Sequence, residues 1–190
     1  AEHFFDGYKE DPETSLKILD AVISTKVECF VFCDTNGGTL PSEVHEIISE
    51  IISKHPKANF GVHFQNDNGC AVANSMVAVD LGVNHVQGTI NGYGERTGNA
   101  DLCTLIPNLT LKKGYKTIPE HLLGQLTQTA NHIAELVNVA IDSRHPYVGS
   151  SAFTHKAGLH ASGMAKDSSL YEHIDSAAVG NFTRTTVSEL

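Results

Sequence analysis

A chain of 190 residues, 41% hydrophobic and 18% charged, holds one globular domain or part of a larger one. A formal net charge of −9 argues against nucleic acid or an anionic membrane as a partner, so positive potential for an anionic substrate has to come from a metal or a few Lys and Arg. No apolar run approaches the ~20 residues a membrane span needs, no signal peptide is visible, and Cys29, Cys33, Cys70 and Cys103 lack CxxC spacing, the pattern of reduced, buried thiols in a cytoplasmic protein.

Residues 1–5 (AEHFF) open without a helix or turn signal. They read as the tail of a strand whose earlier part is absent, so a fragment is expected. Asp11-Pro12-Glu13 starts a helix, and Leu16, Leu19, Val22 and Ile23 give it one apolar face. Residues 27–32 (VECFVF) form a buried strand that runs into Asp34-Thr35-Asn36-Gly37-Gly38. A second helix follows Thr39-Leu40-Pro41, striped by Val44, Ile47, Ile48, Ile51 and Ile52. A β-type run at 59–62 leads into His63-Phe64-Gln65-Asn66-Asp67-Asn68-Gly69. A helix over 70–79 comes next, with Val72, Met76 and Val79 on one side. Residues 85–90 are a further strand, 91–99 a glycine-rich loop, and Leu102, Leu105, Ile106 and Leu109 mark a helix kinked or broken at Pro107.

Strands alternating with helices at this spacing are parallel βα units, and four in succession make half of an eightfold barrel. After Lys112-Lys113-Gly114 the pattern changes. Thr117-Ile118-Pro119-Glu120 fits a capping box opening a long helix, with Leu122, Leu126, Ile133, Leu136 and Val137 as core candidates. No strand is expected to return. The fold class is therefore read as α/β: the C-terminal half of a TIM (β/α)8 barrel over 1–113, followed by an α-helical subdomain over 114–190.

A strand that ends in polar residues before a helix is the usual address of an active site in such a barrel. His63 and Gln65 share a strand face, so together they could hold a divalent metal; alternatively His63 only hydrogen-bonds a loop. Residues 92–98 (GYGERTG) are spaced G-x-G-x-x-x-G, one residue too long for a dinucleotide fingerprint, so these glycines are expected to let the backbone pass close to a ligand. Asn99 could cap the next helix or reach a metal. His155 and His160 are too far apart for one helical face, Tyr171 beside Glu172 and His173 is ambiguous alone, and the absence of a G-x-S-x-G elbow excludes a Ser-His-Asp hydrolase of that type.

Together, Ala1-Glu2-His3, Cys33-Asp34-Thr35-Asn36-Gly37, and residues 63–69, 92–99, 153–160 and 171–180 resemble the acyl-CoA-condensing branch of the DRE-TIM metallolyases. That branch holds the citramalate, isopropylmalate and homocitrate synthases. Residues 1–9 and 87–107 look most like the citramalate synthases. The resemblance implies a metal-dependent acyltransferase that condenses acetyl-CoA with a 2-keto acid and hydrolyses the thioester. The implied keto acid is pyruvate, with isopropylmalate or homocitrate synthase, or a non-catalytic binder, as alternatives. It also implies a divalent cation (Zn, Mn or Mg) as cofactor. The implied assembly is a homodimer whose helical region reaches over the partner's barrel.

Residue by residue, the resemblance assigns His63 and Asn99 to the metal, Thr35 to the keto-acid carboxylate, and Glu2 to acid–base work. His160 is assigned to proton transfer with Tyr171 as its partner; imidazole suits that task because it titrates near neutrality. Two features depart from the family. The D-R-E segment with its metal-binding aspartate is not in this chain, and Gln65 stands where a second metal histidine is expected. An amide oxygen binds zinc more weakly than imidazole but suits a hard cation.

Overall fold

The computed structural model describes residues 1–156 and 158–186, apart from the side chains of residues 159, 160, 161 and 165. The chain forms two compact units, residues 1–105 and 106–190. In the first, β1 (Phe30–Asp34), β2 (Phe60–Phe64) and β3 (His85–Gln87) pair in parallel in that order. The register sets Phe32 beside Val62, and His63 between Cys33 and Gln87. Four helices belong to the same unit: α1 (Phe4–Glu10), α2 (Pro12–Ser24), α3 (Pro41–Lys54) and α4 (Ala71–Asp80).

Alternation along the strands divides the sheet into two unlike faces. Phe30, Phe32, Phe60, Val62 and Phe64 are buried and join one core with Phe4, Phe5 and Tyr8 of α1, Leu19 of α2, and Val44, Ile47, Ile48 and Ile51 of α3. The Phe32 ring lies 4.5 Å from Phe4 and 5.2 Å from Phe60, while Phe5 meets Phe64 at 5.3 Å. The opposite face carries Val31, Cys33, Gly61, His63, His85 and Gln87. Parallel strands with helices packed on one face and polar groups on the other are a partial TIM barrel.

Helix ends follow local chemistry. Asp11 caps α2 by accepting the Thr14 N–H at 3.0 Å, and the Glu43 carboxylate accepts the Leu40 N–H at 2.7 Å ahead of α3. The buried face of α4 is not its valine side. Ala71, Asn74, Ser75 and Ala78 are buried, whereas Val72, Met76 and Val79 are half-buried. Small side chains let α4 approach closely, and the Asn74 amide donates to the Thr39 carbonyl at 2.7 Å.

Several elements differ from the sequence reading. Residues 4 and 5 are helical, because Phe4, Phe5 and Tyr8 form a helix face that fills the aromatic core. Only Ala1 pairs as a strand residue, donating to the Val31 carbonyl and accepting from the Cys33 N–H. The β1 strand starts three residues late, since Lys26 turns at φ 60° and Val27 is exposed, and it runs on to Asp34. The third strand stops at Gln87, and a 3-10 turn takes over at Ile90–Gly92. Helix α5 (Leu102–Pro107) passes directly into a π-type turn, Asn108–Lys112.

In the second unit the expected long helix is two: α6 (Glu120–Leu123) and α7 (Leu126–Val137). The capping box does not form. Pro119 occupies the cap position without a side-chain bond, and the Thr117 hydroxyl pairs with Thr110 at 2.7 Å instead. Leu122, Leu136 and Val137 are exposed, and the buried positions are Leu123, Leu126, Ala130 and Ala134. Strands do return, as a two-residue parallel pair, β4 (Thr154–His155) with β5 (Arg184–Thr185). Helix α8 (Gly158–Lys166) lies between them in sequence.

Gly61 is a closely packed point of the polar sheet face. A Cβ there would lie 2.7 Å from His85 Cδ2 and 3.0 Å from Val31 Cγ2. Gly61→Ala should therefore cost about 1–3 kcal/mol of stability through overpacking. Urea unfolding would show a lower midpoint at unchanged m-value. An unchanged midpoint would mean that the inner face has room at this level.

Candidate active site

The C-terminal ends of β1, β2 and β3 bring the expected barrel-side residues to one edge of the sheet. Thr35 follows β1 and accepts the His3 N–H at 2.7 Å while donating to Glu2 Oε2 at 3.0 Å. A threonine hydroxyl has one proton, so it cannot hold Glu2 and donate to a second carboxylate at the same time. Its Cys33 neighbour stands beside His63 in the register. Burial pushes the Cys33 thiol up from its ordinary value.

Gln65 lies just past β2, two residues after His63, and pairs with Asn99 through an isolated antiparallel bridge. Both amide oxygens, Gln65 Oε1 and Asn99 Oδ1, are buried and lack a hydrogen-bond partner. Asn99 does not cap α5. Asp101 does so, accepting the Cys103 N–H at 3.0 Å and the Thr104 hydroxyl at 2.6 Å. The Asn99 Nδ2 donates to the Tyr93 carbonyl at 2.9 Å, which fixes the amide orientation and leaves the oxygen as its unspent atom. A third such atom, Asn74 Oδ1, sits on α4.

The glycine-rich loop serves the protein's own side chain. A Cβ on Gly94 would overlap Asn99 Nδ2, and one on Gly98 would overlap the Gly92 carbonyl. The expected close approach of backbone to ligand is thus, in this structure, an approach to Asn99.

These atoms fit a divalent cation. Two buried carbonyl-type oxygens without donors are hard ligands, and an imidazole at i−2 on the same strand face is a borderline one. Among the described residues no group of three His, Cys, Asp or Glu is placed to hold a metal. The sequence reading passed over Asp67 and Arg96. Arg96 donates to both Asp67 carboxylate oxygens, at 2.7 and 2.9 Å, and to the Thr35 carbonyl at 2.9 Å. The guanidinium bonds hold the Asp67 carboxyl below the usual carboxylate range. A lone arginine within a glycine-rich loop of an acidic chain was the available signal.

Tyr171 and His160 belong to the second unit. The Tyr171 ring packs on α8, where a Cβ on Gly163 would overlap it, and its centroid lies 6.3 Å from that of His155. His155 Nε2 is 3.0 Å from Glu172 Oε1, and both side chains are buried. His160 lies on α8, but its side chain is outside the described residues.

Residues 4–137 match the HMGL-like family, and residues 147–189 match the homocitrate synthase post-HMGL domain-like family. An (R)-citramalate synthase of Aquifex aeolicus is 52% identical over all of this chain, and one of Geobacter sulfurreducens is 49% identical. A 2-isopropylmalate synthase of Pyrococcus furiosus is 33% identical over 92% of the chain. The chain spans 36% of the length of each of these three proteins. The HMG-CoA lyase structure of Bacillus subtilis superposes with a TM-score of 0.59, at 22% identity, over 67% of this chain and 44% of that one, which shows a shared fold.

Gly94→Ala should expel the Asn99 carboxamide from its seat. Amide exchange at Asn99, whose N–H is bonded to the Gly92 carbonyl at 3.0 Å, should then accelerate at least about tenfold as that local opening becomes easier. Unchanged protection at Asn99 would show that the loop tolerates a side chain there.

Proposed function

The chain belongs to the HMGL-like family, and from that premise we propose that it is part of a metal-dependent acyltransferase condensing acetyl-CoA with a 2-keto acid, pyruvate in first place. The observation that carries this reading is the pair of buried, donor-less oxygens on Gln65 and Asn99, residues joined by one backbone bridge two positions after His63. The preference for pyruvate rests on the relatives: those named as citramalate synthases are 46–52% identical over the whole chain, against 33–38% for those named as isopropylmalate synthases. The protein is read as a cytoplasmic homodimer.

His63, Gln65 and Asn99 would hold the cation, which supplies Lewis-acid polarisation of the keto carbonyl and a positive centre for the substrate carboxylate. The two amide ligands carry no charge, so these side chains add nothing to the −9 of the chain at the cation. Thr35 binds the keto-acid carboxylate through its hydroxyl. Because that hydroxyl now donates to Glu2, substrate entry and release of Glu2 Oε2 are a single exchange, and the freed carboxylate is then available for acid–base work. Proton transfer falls to His160 and Tyr171. In support of this pairing, the Tyr171 ring rests on the helix that bears His160.

The full-length protein should release free CoA from acetyl-CoA only when pyruvate and a divalent cation are both present. Gln65→His should tighten zinc or manganese binding about ten- to a hundredfold, the range set by changes around metal sites. Metal affinity and preference that stay unchanged in Gln65→His would place Gln65 outside the coordination shell. Cation-independent CoA release, or none with any keto acid, would overturn the assignment of function.

A further inference from the structure

The loop over residues 91–99 is strained. Asn91 and Arg96, neither of them glycine, sit at φ 59° and φ 54°, and Gly92 and Gly98 are also left-handed. A backbone of this kind persists only where surrounding contacts over-determine it. Those contacts converge on Arg96. Its Nε and Nη2 grip both oxygens of Asp67, in the loop after β2, and Nη2 also donates to the carbonyl of Thr35, in the loop after β1. Asp67 has its place because Gly37 lacks a side chain; a Cβ on Gly37 would overlap Asp67 Oδ2. Two backbone bonds complete the lacing, from Asn66 N to the Gly98 carbonyl at 2.8 Å and from Asn68 N to the Gly37 carbonyl at 3.1 Å.

Each strand-end loop joined at this node carries a residue of the proposed site. Thr35 is itself bonded, Gln65 precedes Asp67 by two residues, and Asn99 follows Arg96 by three. The planar guanidinium is suited to this task, since its fork fixes direction as well as distance. We propose that Arg96, acting through Asp67 and the Thr35 carbonyl, is a positioning residue that sets the Gln65 and Asn99 oxygens and the Thr35 hydroxyl relative to one another. It touches neither substrate nor cation. This inference rests on the reading of Gln65 and Asn99 as cation ligands, and its test is built to fail separately from that reading.

The test compares Arg96→Ala, Arg96→Lys, Asp67→Ala and the double variant Arg96→Ala/Asp67→Ala in the full-length protein. The first readout is hydrogen exchange without metal. Both Arg96 variants should lose protection at the amides of Asn66, Asn68 and Asn99 together, while the β1 and β2 amides keep theirs. The second is manganese affinity, measured directly by titration. Loss of the node should weaken it about tenfold, as removal of an outer-shell partner does. The double variant should be no weaker than Arg96→Ala alone, because that substitution already removes the contact with Asp67.

Full restoration of protection and affinity by Arg96→Lys would show that charge suffices, and the positioning role would be overturned. The same holds for additive losses in the double variant, or for a lowered melting temperature with unaltered manganese binding. A parent protein that binds no manganese would refute the cation site alone. The metal-free exchange pattern would still decide whether Arg96 laces the three loops.

Discussion

An amide oxygen buried without a donor costs roughly 1–3 kcal/mol, and the structure keeps two of them on residues joined by one backbone bridge, Gln65 and Asn99. Much of the barrel-side architecture makes sense as the means of holding them. The Phe faces of β1 and β2 anchor the strands in an aromatic core, so the alternate residues His63 and Gln65 have to face the other way. Gly94 leaves room for the Asn99 carboxamide, Tyr93 fixes its orientation, and Asp101 relieves it of capping duty. Arg96 then joins the three loops that the oxygens and Thr35 depend on.

The parts legible in the sequence are those with local periodicity. The stripe of α3, the Asp11 cap of α2 and the parallel βα alternation follow from spacing and capping chemistry, and the structure contains them. What escaped depends on distant partners. Phe4 and Phe5 look like a strand tail until Phe32 and Phe64 are there to receive them. The α4 face was missed because its buried residues include Asn74 and Ser75, which hydrogen-bond the Thr39 and Ala71 carbonyls, alongside only the small Ala71 and Ala78. Thr117 satisfies a capping-box pattern yet bonds Thr110, and Gly124 with Gln125 divides the helix that the pattern opens.

The site shows the same division. The His63–Gly69 stretch and the glycine-rich loop are contiguous signals, and they are among the segments that carry the resemblance to the acyl-CoA-condensing enzymes. Arg96 lies within that loop, but its role is not legible there. Its partners lie 29 and 61 residues away, and an exposed arginine in a loop ordinarily reads as solvated charge. The hydrogen bond from Thr35 to Glu2 was likewise invisible until the 3.0 Å contact placed the two side chains together.

The central claim is that the Gln65 and Asn99 oxygens are ligand atoms rather than tolerated defects. Crystals of the full-length protein grown with manganese, and measured for anomalous scattering at its absorption edge, test it most directly. The account predicts a peak within coordination distance of Gln65 Oε1, Asn99 Oδ1 and a nitrogen of His63. A manganese peak elsewhere, with both amide oxygens accepting hydrogen bonds from water or protein donors, would contradict it.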